Sequence, residues 1–403
     1  MRKRLGLFLA LVLLVMSMAA CGNSQNKESS ETKKETKQET KGETAESKAE
    51  ESKGTEGETT ASGTDLSKVK IGAFTSNNKD DGGWSQAQYT GLAAAVKNLG
   101  LSEDQFLFIE DIPEEGNSDT ATVVQQLVDD GCNIIMAVST GYRDAVDNVS
   151  SQYPDVQFVA VNGTVKDNSI GYSIRDYQGM FLCGYISALM SEKNELGYSA
   201  GYPEASVIRG INAFAQGAKY ANPEATVKVV WANSWYDPAA EKECANSLIS
   251  TGITCLGINA SSPAIPQACE EAGVYCTGYH VDMKEYAPKA VMTSFMWNWA
   301  PIFEDIVIKF AQNGEKPFGE KYFWGADKGC SEISEINMDI VPQEIADKVY
   351  EVQDKVISGE IDVFGGELKD NEGNVVVPAG ETMPDEKILD MGCLLENVIG
   401  TLP

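Results

Sequence analysis

Histidine is nearly absent: His280 is the only one in 403 residues. The nine cysteines include no C-x-x-C pair, so neither residue type offers the ligand spacing of a zinc site. There is no G-x-S-x-G elbow, no Walker A sequence and no H-E-x-x-H helix. Their absence removes the motif-marked hydrolases, phosphate-loop ATPases and zinc proteases. Positive charge is scarce, with 32 Lys and Arg against 60 Asp and Glu and a formal net charge of −28. That balance argues against nucleic acid and anionic lipid as partners. It favours a neutral or cationic ligand only weakly, because surface charge also keeps a protein soluble. From Asn23 to about Asp65 there is no aromatic residue. A stretch of Glu, Lys, Thr, Ser and Gly cannot bury enough apolar surface to offset the entropy of ordering, so a disordered tether is expected there.

The first twenty residues read as a signal peptide. Arg2, Lys3 and Arg4 form a basic start, and Leu5 to Ala20 an apolar run. That run is too short for a comfortable membrane span and the right length for a signal core. Met18-Ala19-Ala20-Cys21 has the shape of a lipobox, with small residues before the cysteine that takes the lipid. The competing reading is an ordinary cleaved signal followed by an incidental cysteine. The expected organisation is a signal peptide over 1–20, lipidated Cys21 with a tether over 21–65, and a folded region over 66–403. Two or more acyl chains on Cys21 would hold the protein stably on the extracytoplasmic face of the cell membrane. Removing the three basic residues of the signal takes the mature charge to near −31. Eight cysteines follow Cys21. Many lie in apolar patterns, where cysteine behaves as a small hydrophobe, so free buried thiols are expected; sequence selects no disulfide pairing.

About Ser67 to Pro403 is too long for one small core and suits two lobes. Short β-branched runs alternate with helical patterns. In the first half, strands are expected at Val69–Phe74, Phe106–Ile109, Asn133–Val138 and Val156–Val161. Helices are expected at Ser85–Leu99, Ala121–Asp130, Arg143–Gln152 and Gly179–Met190. The pattern then restarts, with strands at Glu195–Ala200, Val227–Trp231, Thr254–Ile258 and Val274–Gly278 and helices between them. This predicts an α/β protein of two doubly wound parallel-sheet lobes. The first lobe is expected over about 66–192 plus 292–318, and the second over about 193–291 plus 319–403.

Ligands of such sheets bind beyond the carboxyl ends of the strands. Four segments stand there: Thr75 to Trp84, Ser139 to Tyr142, Asn233 to Asp237 and Tyr279 to Asp282. Each carries an aromatic residue, and three carry an Asp.

These segments resemble the basic membrane protein family of ABC-transporter solute-binding lipoproteins, in its PnrA-like purine-binding group. The resemblance spans essentially everything after the tether. It rests on Asp80-Asp81-Gly82-Gly83-Trp84-Ser85-Gln86 with Gly91, on Tyr153-Pro154-Asp155-Val156-Gln157-Phe158, and on Val207-Ile208-Arg209-Gly210-Ile211-Asn212-Ala213-Phe214 with Gly217. Trp235-Tyr236-Asp237-Pro238, Gly278-Tyr279-His280-Val281-Asp282-Met283 and Trp297-Asn298-Trp299 add to it. Trp84 stands where the family usually has Phe, and Ser85 where it has Asn. The resemblance implies a periplasmic-binding-protein fold of type I, with two lobes joined by a hinge. It implies a receptor, not an enzyme, that delivers a purine base or nucleoside to an ABC permease, with no cofactor and as a monomer. The base would be sandwiched between Trp84 and Trp235, with Asp81 or Asp80 on its edge. The family's nucleoside binders tend to carry a Lys after the Thr-Ser of a late segment, where it reaches the ribose. Here Thr293-Ser294-Phe295-Met296 is followed by Trp297, which favours a free base.

Stacking contributes on the order of 1–3 kcal/mol per aromatic. Micromolar capture needs roughly −8 kcal/mol, so hydrogen bonds to the ligand's edge must add to it. Asp81 and Asp282 are candidates for those bonds, and Tyr142, Tyr279 and Trp297 complete the candidate wall. Each has a structural alternative. Trp84 could be a core residue at a helix start, and Trp235 could pack on its own lobe. Asp80 or Asp81 could cap the helix at Trp84, and Asp237 before Pro238 reads better as a cap than as a ligand contact. Arg175 and Tyr177 read equally as a hinge salt bridge. A purine nucleosidase is the sharpest enzymatic rival, but it needs a metal-holding carboxylate cluster for which Asp80-Asp81 is thin. A ligand sensor feeding a membrane signalling protein is the other alternative.

Overall fold

The computed structural model describes residues 64–114 and 117–403, apart from the side chain of Asn117. The expected signal peptide, Cys21 and all but the last two residues of the tether lie outside the described residues. The chain opens with β1 (Ile71–Phe74), α1 (Trp84–Asn98), β2 (Phe106–Ile109), α2 (Asn117–Asp129), β3 (Ile134–Ala137), α3 (Arg143–Val149), β4 (Gln157–Val161) and β5 (Ser169–Ile174). It continues through α4 (Tyr177–Met190), β6 (Glu195–Ala200), α5 (Ala205–Ala221), β7 (Thr226–Trp231), α6 (Pro238–Ser250), β8 (Cys255–Ile258), α7 (Ala264–Ala272), β9 (Tyr275–Gly278) and β10 (Val291–Trp297). It ends with α8 (Ala300–Gln312), β11 (Lys321–Trp324), β12 (Ser331–Ile333), α9 (Gln343–Ile357), β13 (Leu368–Lys369), β14 (Val375–Val377), α10 (Asp385–Leu389) and β15 (Val398–Ile399).

The strands read as apolar runs because helices cover both faces of each sheet. All residues of β1, β3, β4 and β5 are buried. The first sheet has the order β2-β1-β3-β4-β5-β11 and is wholly parallel. On one face it packs Leu92 of α1 and Ile302, Phe303 and Ile306 of α8; on the other, Val124 of α2 and Val146 of α3. The second sheet runs β15-β7-β6-β8-β9-β10-β12, with β12 alone antiparallel. Strand order reverses between β1 and β3 in the first sheet and between β6 and β8 in the second. Both lobes therefore have the switch-point crevice of a doubly wound fold.

Helix α4 is apolar on all sides because it is buried on all sides, against α5, α9 and the second sheet. Gly184 lies so near the Phe214 carbonyl, and Gly217 so near that of Phe181, that a Cβ at either position would overlap backbone. Glycine at both sites lets α4 and α5 touch main chain to main chain.

The exchange points between lobes differ from those expected. Helix α4 packs in the second lobe, so the first crossing falls at Arg175–Asp176 and not near 192. Strand β10 pairs with β9 and belongs to the second sheet, whereas β11 pairs with β5 and belongs to the first. The chain returns to the first lobe at 298–299 and leaves it again at 325–330. Strand β5, which the sequence reading passes over, is the last strand of the first lobe before that first crossing.

Candidate functional site

The carboxyl ends of β1, β3, β4 and β5 face those of β6, β8 and β9 across a cleft of about 720 Å³. From the first lobe it is lined by Ser76, Trp84, Glu114, Thr140, Asn162 and Ser173. From the second come Glu204, Arg209, Trp235, Asn259, Ser261, Tyr279 and His280, and Trp297 and Trp299 line it at a crossing.

Trp84 is the first residue of α1 and half-buried. Its Nε1 donates to the Val138 carbonyl at the end of β3 (2.7 Å), which fixes the indole against the cleft. Trp297 and Trp299 stack in parallel, 5.1 Å apart at 6°, and Trp84 meets both edge-on at 5.4 and 5.6 Å. Trp299, although almost fully buried, thus borders the cleft beside Trp297. Trp235 stands on the opposite rim, 44 % exposed, with its ring edge-on to Tyr202 at 5.0 Å. Tyr279 is buried beneath His280 and Trp297, and burial pushes its phenol upward.

Four candidate residues, Asp80, Asp81, Tyr142 and Asp282, do not line the cleft. Asp81 accepts from the backbone N–H groups of Gly83 (2.8 Å), Ser85 (3.2 Å) and Gln86 (3.0 Å), while Gln86 Oε1 accepts from the Gly82 N–H (3.0 Å). It thus satisfies the open donors at the start of α1, and neither it nor exposed Asp80 borders the cavity. Tyr142 lies in a short 3-10 turn that aims its ring inward onto Phe74 (4.8 Å), and its hydroxyl donates to the Ile112 carbonyl (2.6 Å). It is a core residue. Asp282 is exposed, and its carboxylate accepts from the Lys284 N–H (3.0 Å) to close a local turn. Asp237 caps α6 by accepting from Ala239 and Ala240, with Pro238 at the first helical position.

His280 has a left-handed backbone (φ 73°) and is 8 % exposed. Its Nδ1 accepts from Trp297 Nε1 at 2.9 Å, and its Nε2 lies 3.4 Å from Ser261 Oγ. Burial lowers its pKa to about 3. Deeper in the cleft, Arg209 on α5 holds Asp176 at the first crossing through Nε (2.7 Å) and Nη2 (2.6 Å), both groups being almost fully buried. Burial raises the Asp176 pKa, and the Arg209 guanidinium opposes that rise. Arg175 does not line the cleft. It grips Asp385 on α10 through two hydrogen bonds (2.8 and 2.7 Å) and also donates to the Tyr177 hydroxyl (2.8 Å). At the mouth, partial desolvation raises the Glu204 pKa; Arg143 opposes this and Glu114 adds to it.

A family described as ABC transporter substrate-binding protein PnrA-like matches residues 68–367. The chain belongs to this family. Members of the PnrA-like family are extracytoplasmic substrate-binding proteins of ABC transporters, not enzymes. A purine-binding protein of Brucella abortus (strain 2308) is 29% identical over 336 residues, 83% of this chain and 94% of that protein. A putative ABC transporter glucose-binding protein of Haloferax volcanii is 30% identical over 288 residues, 71% and 70% of the two chains. Among solved structures, an ABC-transporter solute-binding protein from Conexibacter woesei superposes with a TM-score of 0.59 at 18% identity, covering 73% of this chain and 97% of its own, which shows the fold.

Of the residues lining the cleft of this PnrA-like chain, Trp84, Trp235 and Tyr279 stand in the four strand-end segments and Trp297 in the Trp297-Asn298-Trp299 motif. Glu204, Asn259 and Ser261 were missed, although they follow the carboxyl ends of β6 and β8, the switch-point pair of the second sheet. Applied to those two strands, the same rule would have found them. Arg209 carried no such signal, because its partner Asp176 is far away in sequence and the pairing exists only in the fold.

Proposed function

We propose that this substrate-binding protein captures a purine, preferentially the free base, in the cleft between its lobes, and delivers it to an ABC permease from a lipid anchor at Cys21. The observation that carries this reading is the aromatic wall. Trp84 from one lobe and Trp235 from the other border a single cavity, with the Trp297–Trp299 stack at its back. A purine is flat and poorly hydrated on its faces, so indole surfaces of this kind favour it over an aliphatic solute. Trp235 is half exposed, and closure of the lobes over a ligand would cover it. Preference for the base over the nucleoside is supported by the use of the Trp297 N–H, which His280 already accepts, leaving that position without a donor for a ribose hydroxyl.

The test is calorimetric titration of the chain beginning after Cys21, stripped of bound ligand by unfolding and refolding. Adenine, guanine, hypoxanthine, adenosine, guanosine and glucose are compared. Tight binding of a base with weak nucleoside binding supports the reading. Tight nucleoside binding would overturn the base preference. Binding of glucose alone would overturn the purine reading.

A further inference from the structure

The chain's only histidine sits in the cleft with one ring nitrogen already committed. An indole N–H can only donate, so the 2.9 Å bond from Trp297 Nε1 requires His280 Nδ1 to be an unprotonated acceptor. The ring proton is then on Nε2. Among the described residues that N–H finds only Ser261 Oγ at 3.4 Å, a contact at the outer limit of hydrogen bonding, and Ser261 lines the same cleft. The arrangement is held at a backbone cost, since a non-glycine residue in the left-handed region is strained and such strain concentrates at ligand sites. Trp84 of the other lobe lies edge-on, 6.0 Å from the imidazole ring. A flat ligand against the indoles would therefore present its edge to Nε2.

We infer that His280 is a specificity-determining residue that donates its Nε2–H to a ring nitrogen or carbonyl oxygen of the bound heterocycle, and that Trp297 is the positioning residue that fixes the tautomer. This rests on the purine reading and adds to it the hydrogen-bonding sense of one ligand edge: an acceptor must face the second lobe. The pair discriminates by cost. A ligand with a C–H at that edge leaves the Nε2–H unpaired in a desolvated site.

Because there is one histidine, the imidazole ¹⁵N resonances of the tag-free chain need no assignment. At pH 7 the expected spectrum is that of the neutral Nε2–H tautomer. Trp297→Phe keeps a ring but removes the donor, and should yield a tautomer mixture, which loss of packing alone would not produce. An Nδ1–H tautomer in the wild type, or an unchanged spectrum in Trp297→Phe, overturns the positioning half. For the ligand half, the tightest-binding purine and its 1-, 3- and 7-deaza analogues are titrated against the wild type and His280→Gly, a substitution that the left-handed backbone accepts. If the acceptor is instead a carbonyl oxygen, the analogue lacking it joins the series. One deletion should weaken wild-type binding about tenfold or more, and the same deletion should have little effect in His280→Gly. A wild type that binds purines with the same analogue pattern as His280→Gly overturns this inference and leaves the purine reading standing. A wild type that binds no purine overturns both.

Discussion

Replacing Trp84 by alanine isolates the contribution of the first lobe's indole to binding. The side chain is half-buried, borders the cleft and is tied to Val138 by one hydrogen bond. Loss of a stacking face costs about 1–3 kcal/mol, which corresponds to a Kd raised roughly five- to 150-fold. Alanine also removes the edge contacts to Trp297 and Trp299 and frees the Val138 carbonyl, so some loss of stability accompanies it. Trp84→Phe separates the two effects. It restores an aromatic face and omits the N–H, so affinity should return close to wild type while stability stays lower by about 1 kcal/mol, the worth of one neutral hydrogen bond. The assay is calorimetric titration with the best-binding purine, beside urea unfolding of each variant. An alanine variant that is folded and binds as tightly as wild type would refute the stacking argument. So would a phenylalanine variant as weak as alanine.

Three further outcomes follow from the geometry. Asp81→Ala removes the acceptor for three backbone N–H groups at the start of α1 and should cost about 0.5–2 kcal/mol in urea unfolding, with far less effect on affinity than Trp84→Ala. The opposite ranking would return Asp81 to the ligand. Arg209→Met strands the buried Asp176 carboxylate and should destabilise the protein by about 3–5 kcal/mol at pH 7. Burial already raises the Asp176 pKa, and losing the opposing guanidinium raises it further. A raised carboxyl pKa favours the folded state below it and weakens the fold as pH climbs through it, so the deficit should shrink between pH 7 and pH 5; a deficit independent of pH would contradict this. In native chain beginning after Cys21, a thiol reagent at pH 8 should find at most one fast-reacting cysteine, half-buried Cys393. The other seven described cysteines are buried, with Cys132 pushed up to about 11 and Cys183, Cys255 and Cys330 to about 12. Several fast equivalents would show that the cores open.

The α/β alternation was legible because parallel strands covered on both faces leave unbroken apolar runs, as in Ile134–Ala137 and Phe158–Val161. So was the rule that chemistry gathers beyond the strand ends. Which lobe a strand joins was not, because the membership of β10 and β11 is set by a distant neighbour, β9 or β5, and not by their own residues. The same limit applies to side chains. An aspartate four residues ahead of a helix backbone donor can cap it or reach a ligand, and only the turn at Gly82–Gly83 decides that Asp81 caps. Tyr142 shared the strand-end position of true cleft residues, but a single 3-10 turn rotates it into the core beside Phe74. The Trp297–His280 bond joined two residues already marked as interesting, yet which nitrogen accepts is a matter of geometry alone.

The interleaving of the lobes also sets an order of events during synthesis. A ribosome that has delivered residues up to 297 has supplied five of the six strands of the first sheet, but neither α8, which covers one face, nor β11, which closes its edge. The second sheet in turn waits for β12 and β15. Neither half can reach its final core until most of the polypeptide has been made, so the nascent chain remains unfolded for longer than one encoded as two successive domains. For a protein of a family that works outside the cytoplasm, late completion of both cores would keep the chain threadable.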